Sequence, residues 1–111
     1  MQKVSEKDGK YRGGDWGVKY MLRGPKLDWG VLLLKPGQQM GGHGHREVEE
    51  TFYFVEGSGK IVVDGVAHAA EAGDAIRCEP PEIHDLLNDG DADCKIVFLK
   101  TPYLPDDKID A

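Results

Sequence analysis

Cysteine is scarce in this chain, with only Cys78 and Cys94 present. Neither has a second cysteine at metal-clip spacing, which excludes a zinc ribbon. Both read as small, reduced strand residues of a reducing cytosol. Long apolar runs are also missing. The longest, Val31-Leu32-Leu33-Leu34, falls far short of the ~20 residues that a membrane-spanning helix needs. The stretch Met1–Asp8 has no apolar segment, so no secretory signal is expected there, and the expected location is cytoplasmic. Basic charge is the minority: 14 Lys and Arg stand against 20 Asp and Glu, for a net charge of −6. No Lys/Arg cluster offsets that balance, which argues against nucleic acid as a partner. Finally, no segment repeats its apolar residues with a helical period.

What the chain does have is punctuation. Fifteen glycines and six prolines separate short β-prone runs. The expected strands are 17–23, 29–35, 38–45, 50–55, 60–63, 66–70, 75–78, 83–87 and 94–100. Gly57-Ser58-Gly59 reads as a glycine-rich hairpin, and Asp64-Gly65 is a dipeptide that favours a two-residue hairpin turn. Nine short strands without helical crossovers imply an all-β sandwich or barrel. The expected organisation is an N-terminal arm over 1–16, one barrel over 17–101 and a tail over 102–111.

The histidines carry the chemical signal. His43-Gly44-His45 puts two imidazoles on one face of a strand, because residues i and i+2 share a face. Imidazole and carboxylate suit borderline metals. Glu49 and Glu50 open the next strand, and alternation lets only one of them point inward. His84 lies in a later strand, with Asn88 four residues on. Gly37, Gly41, Gly42 and Gly44 are a costly composition for a strand that has only to pack, and suit backbone that bends around a site.

These residues resemble the two motifs of the cupin superfamily. The first motif is Gly, five residues, His-x-His, three or four residues, Glu, six residues, Gly. Gly37, His43, His45, Glu50 and Gly57 meet every spacing, and the step to Gly57 selects Glu50 over Glu49. The second motif is matched by Gly73, His84 and Asn88. It departs at Glu79, where proline is usual, and at Pro81, where glycine is usual. The resemblance implies a double-stranded β-helix (jelly-roll) barrel with one divalent transition metal per chain, held by His43, His45, Glu50 and His84. Fe, Mn, Ni, Co, Cu and Zn all suit that donor set. It also implies a homodimer.

The remaining candidates divide by strand parity. Phe52 and Phe54 share the parity of Glu50 and are substrate-pocket candidates, with core packing as the plainer role; Tyr20 alternates suitably to line the interior. Arg23 and Arg77 would clamp a substrate carboxylate if inward, and are solvated charges if outward. Asn88 reads as a residue that steadies the interior beside the site. Glu47, Glu49, Glu79 and Glu82 lie near the motifs as general-base candidates. Trp16 and Trp29 read as packing residues and His68 as a surface residue. Together these features lead to the expectation of a small metalloenzyme of dioxygenase, decarboxylase or isomerase type. Its ligand would be a small oxygen-rich molecule: a chelating acid, a diketone or a sugar acid. The alternative is a non-catalytic, metal-containing module that binds a small ligand.

Overall fold

The structure is a computed structural model that describes residues 1–111. It contains ten strands: β1 (Gly17–Arg23), β2 (Asp28–Leu34), β3 (His43–Gly44), β4 (Glu49–Glu56), β5 (Ser58–Val63), β6 (Val66–Glu71), β7 (Ala75–Cys78), β8 (His84–Leu87), β9 (Cys94–Thr101) and β10 (Ile109–Asp110). All pairings are antiparallel. They form two five-stranded sheets, ordered β1-β2-β9-β4-β7 and β10-β3-β8-β5-β6. No helix is long and apolar enough to cross a membrane.

The inward parity of each strand builds the core. Leu32, Leu34, Phe52, Phe54, Ile96 and Phe98 from one sheet meet Ile61 and Leu86 from the other, all essentially without solvent contact. Burying side chains of this size contributes about 1.5–3 kcal/mol each relative to exposure. The intervening residues point outward, and Tyr53, Val55 and Leu99 are exposed on the far face of β4 and β9.

Three expectations differ from the structure. Gly57-Ser58-Gly59 is not a hairpin, because β4 pairs with β7 and β9 while β5 pairs with β6 and β8. The chain crosses there from one sheet to the other. Gly57 makes the crossing with φ +80°, and a Cβ on it would stand 2.3 Å from the Asp93 carbonyl oxygen. Expected strand 38–45 narrows to His43–Gly44, preceded by a single bridge between Gln39 and Leu87. Its glycines bend the chain away from the regular ladder. The segment 102–111, expected as a tail, carries β10, which pairs Ile109 with Gly44 and Asp110 with His43. Asp64-Gly65 turns as expected, with positive φ at both residues.

Candidate metal centre

Four polar side chains are buried together between the two sheets. His43 (β3) and His84 (β8) are direct cross-strand partners. His45 follows β3, and Glu50 enters from the opposite sheet as the second residue of β4. Their donor atoms all lie within 4.8 Å of one another. The Nε2 atoms of His43, His45 and His84 stand 3.5, 3.1 and 3.1 Å from Glu50 Oε1. Gly44 allows the close packing behind them, since a Cβ there would meet Ile83 Cδ1 at 2.8 Å and the Glu82 carbonyl oxygen at 2.9 Å. Despite Glu79 and Pro81, the turn before β8 closes. The Glu82 amide donates to the Glu79 carbonyl, the Glu79 amide donates to Glu82 Oε1, and the Ile83 amide donates to Asp64 Oδ1.

The back of each ring determines what its front offers. His43 Nδ1 donates to the Gly41 carbonyl at 3.1 Å, and His45 Nδ1 donates to the Asp107 carbonyl at 2.5 Å. A carbonyl only accepts, so Nδ1 of each ring carries a proton and each ring turns its Nε2 toward Glu50. His43 Nε2, His84 Nδ1 and Glu50 Oε2 are buried without a hydrogen-bond partner. Unpaired buried polar atoms are costly, about 1–3 kcal/mol each. Burial opposes charge on Glu50. The His43, His45 and His84 imidazoles facing its carboxylate outweigh that and hold its carboxyl well below the usual range. Burial likewise opposes protonation of His45, and the Glu50 carboxylate and the Asp107 carbonyl overcome it and raise its pKa. A compact set of three imidazoles around one carboxylate, with unsatisfied lone pairs, is a donor set able to hold a metal ion.

The site opens into a cavity of about 440 Å³, bounded by His43, His45, Glu50, Trp16, Tyr20 and Phe98 among others. His84 stands behind this wall, edge-on to Phe52 at 5.5 Å between ring centres. Phe52 and Phe54 themselves belong to the core, not to the cavity wall. Arg77 lies on the exposed side of β7, donating to Glu79 at 2.8 Å. Arg23 reaches the cavity rim but is bound bidentately by Asp28 and stacks over the Tyr20 ring at 3.8 Å. Asn88 is fully buried away from the cavity and donates to the Leu34 and Ala92 carbonyls. Glu47, Glu49, Glu79 and Glu82 do not line the cavity, whereas Tyr20 does.

Two residues absent from the sequence-based candidates matter here. Lys100 lines the cavity beside Tyr20 and donates to its hydroxyl at 2.8 Å. Its parity with Ile96 and Phe98 on β9 was the available signal. Asp107 accepts from the backbone amides of Arg46, Glu47 and Val48 at 2.8–3.0 Å while its own carbonyl holds His45. Nothing in the irregular 102–111 segment announced that role.

Protein SchB of Streptomyces halstedii is 29% identical over 76 residues, 68% of this chain and 55% of SchB. Polyketide synthase CurC of Streptomyces cyaneus is 29% identical over 76 residues, 68% of this chain and 49% of CurC. The chain therefore spans about half the length of the curated relatives it matches. A conserved protein with a double-stranded β-helix domain from Klebsiella pneumoniae superposes with a TM-score of 0.82 at 19% identity, covering 98% of this chain and 96% of that one. The model of the family described as Cupin domain matches residues 30–100, more than half of the sequence, and the chain belongs to the cupin family.

Proposed function

We propose that this cupin is a metal-dependent enzyme whose substrate is a small oxygen-rich molecule that chelates through two oxygens. His43, His45, Glu50 and His84 would be the ligands. The observation that carries the reading is the convergence of three Nε2 atoms on Glu50 Oε1, with His43, His45 and Glu50 lining a cavity large enough for a small molecule. Four protein ligands leave open positions on a metal that prefers six, and such a metal supplies Lewis acidity to an oxygen pair, or an O₂ site if it is iron. Among the chelators, a 1,3-dicarbonyl compound is favoured over a sugar acid. The aromatic wall of Trp16, Tyr20 and Phe98 suits a flat, partly apolar molecule, and one relative is named as a polyketide synthase.

The chain's own residues would orient such a substrate and exclude water. Tyr20 is the hydroxyl placed to exchange a proton with it. The other cavity carboxylates are committed, Asp28 to Arg23 and Asp107 to backbone amides. That commitment favours a second reading, a module that binds such a ligand without turnover. Metal analysis of protein purified without added metal, followed by O₂ uptake and substrate loss across 1,3-diketones, keto acids and sugar acids, separates the two. Retained metal with consumption of one class supports the enzyme. Retained metal with binding alone supports the module. Lack of metal in the unaltered protein, with folding unchanged in a His43→Ala/His84→Ala double variant, refutes both.

The exposed Tyr53, Val55 and Leu99 form the face on which a second copy would pair, giving a homodimer. Sedimentation of the unaltered protein against Tyr53→Glu tests it, and a monomer at micromolar concentration refutes it. Two free, buried thiols suit a reducing compartment, which is the basis for a cytoplasmic location.

A further inference from the structure

One row of side chains crosses the cavity-facing side of four of the five strands of one sheet. By register, Arg23 is opposite Asp28, Asp28 opposite Lys100, and Lys100 opposite Glu50. The row alternates positive, negative, positive, negative across β1, β2, β9 and β4. Its members are not equally satisfied. Arg23 and Asp28 close on each other at 2.8 Å, and Glu50 is taken by three imidazoles. Lys100 is left over. It forms no ion pair with a carboxylate, and its ammonium instead donates to the Tyr20 hydroxyl and lies 5.3 and 5.9 Å from the Tyr20 and Phe98 ring centres.

A half-buried lysine without a carboxylate is an expensive arrangement in a chain of net charge −6, which has acids to spare. The other cavity cations do not share it. Lys108 pairs with Asp110 at 3.3 Å, and Arg12 is exposed at the mouth. With a divalent cation on Glu50 and the histidines, the inner end of the cavity would carry two positive charges: one left from metal plus Glu50, and one from Lys100. Two aromatic rings around the ammonium limit its access to water, so an anion from solution is its natural counter-charge.

We propose that Lys100, oriented by the Tyr20 hydroxyl, is the specificity-determining residue of the cavity, and that the ligand it selects is an oxygen chelator carrying a full negative charge, such as an enolate or a carboxylate. The inference rests on the metal-dependent reading above and adds the charge of the ligand and the residue that reads it.

The test uses metal-loaded protein and two pairs of probes, each alike at the chelating diol and differing in charge. These are 3,4-dihydroxybenzoate with 3,4-dihydroxybenzamide, and 2,3-dihydroxybenzoate with 2,3-dihydroxybenzamide. The isomers offer the charge far from and near the diol. Affinities are measured by calorimetry, with metal content determined on the same samples. The expected result is at least a tenfold preference for the acid in one pair, lost in Lys100→Met and restored in Lys100→Arg, with the amide's affinity and the metal content unchanged. A purely structural role for Lys100 would weaken acid and amide together. Equal binding of acid and amide by the unaltered protein overturns the proposal without need of any variant. So does a preference that survives in Lys100→Met, or one that disappears in Arg12→Gln instead. Protein that retains no metal fails the underlying reading, whereas protein that retains metal and shows no charge preference fails this inference alone.

Discussion

Replacing Asp107 tests whether the C-terminal segment is part of the candidate metal centre or only adjacent to it. Its carboxylate accepts three backbone amides from the turn between His45 and β4, and its carbonyl holds the His45 ring from behind. Hydrogen bonds to a charged acceptor are worth about 1.5–3 kcal/mol when buried. Asp107 is partly exposed, so solvent screening brings each down to about 0.7 kcal/mol and the three together to about 2 kcal/mol. Asp107→Ala should therefore lower the melting temperature of the metal-free protein by roughly 10 °C. Asp107→Asn, which keeps one acceptor oxygen, should lose about half of that. The variant retains its backbone carbonyl but no longer fixes where that carbonyl sits, so His45 loses its orienting partner. Loss of such a partner typically costs about 10–100-fold in metal affinity. The assay is competition for metal against a chromophoric chelator, run beside thermal melts of the metal-free protein. A melting temperature that falls while metal affinity holds would show a structural clasp with no bearing on His45. Neither quantity moving would refute the hydrogen-bond argument altogether.

Asn88→Ala should destabilise by about 1–3 kcal/mol, because the buried Leu34 carbonyl loses its donor and the Ala92 carbonyl loses its tie to Asn88; a urea midpoint within error of the unaltered protein would contradict this. Gly57→Ala should cost at least ~2 kcal/mol, since its positive φ and the 2.3 Å approach to the Asp93 carbonyl both resist a side chain. Recovery of that loss by Gly57→Asn, which tolerates the left-handed region, would mean the clash is unimportant. Burial pushes the Cys78 thiol up to about 12 and the Cys94 thiol up to about 11. Both should resist a disulfide reagent at pH 8 until the protein is denatured. For Cys94 the folded value lies above the unfolded one, near ~8.5, so its contribution is intact below that value and declines as pH rises through it toward 11. Rapid labelling of the native protein at pH 8 would contradict the burial.

How much of this was legible in the sequence depended on whether a residue's position follows from a period. In regular strands it does. Glu50, Phe52 and Phe54 turn inward while Tyr53 and Val55 turn out, because successive side chains alternate and one face alone is apolar. The same rule lets only one of Glu49 and Glu50 face inward, and the motif spacing to Gly57 selects Glu50; Glu49 is half-buried with its carboxylate 3.9 Å from Arg77 Nε on the outer side. Parity fixes a face, however, and says nothing about depth along it. Phe52 and Glu50 share a face, yet Phe52 is sealed beneath His84 while Glu50 reaches the cavity. Where the period breaks, local reading fails in a different way. Gly57-Ser58-Gly59 has the composition of a hairpin, but a glycine that permits a tight turn permits a change of sheet equally well. Only the partners of the flanking strands, distant in sequence, decide between them.

The least legible part of the site was also the part with the most specific role. Asp107 lies in an irregular segment 62 residues from His45, where no alternation constrains it and no neighbour in sequence shares its task. Such a contact exists because β10 pairs with β3 and carries the preceding loop across the back of the histidines. Strand pairing that sets a histidine's outer partner is a tertiary property, so the candidate ligands could be read from motif spacing while the groups that orient them could not. Lys100 falls between these cases. Its face followed from β9 parity, but its significance came from its neighbours: Asp28 and Glu50 were each already occupied, which turned an ordinary inward lysine into an unpaired charge.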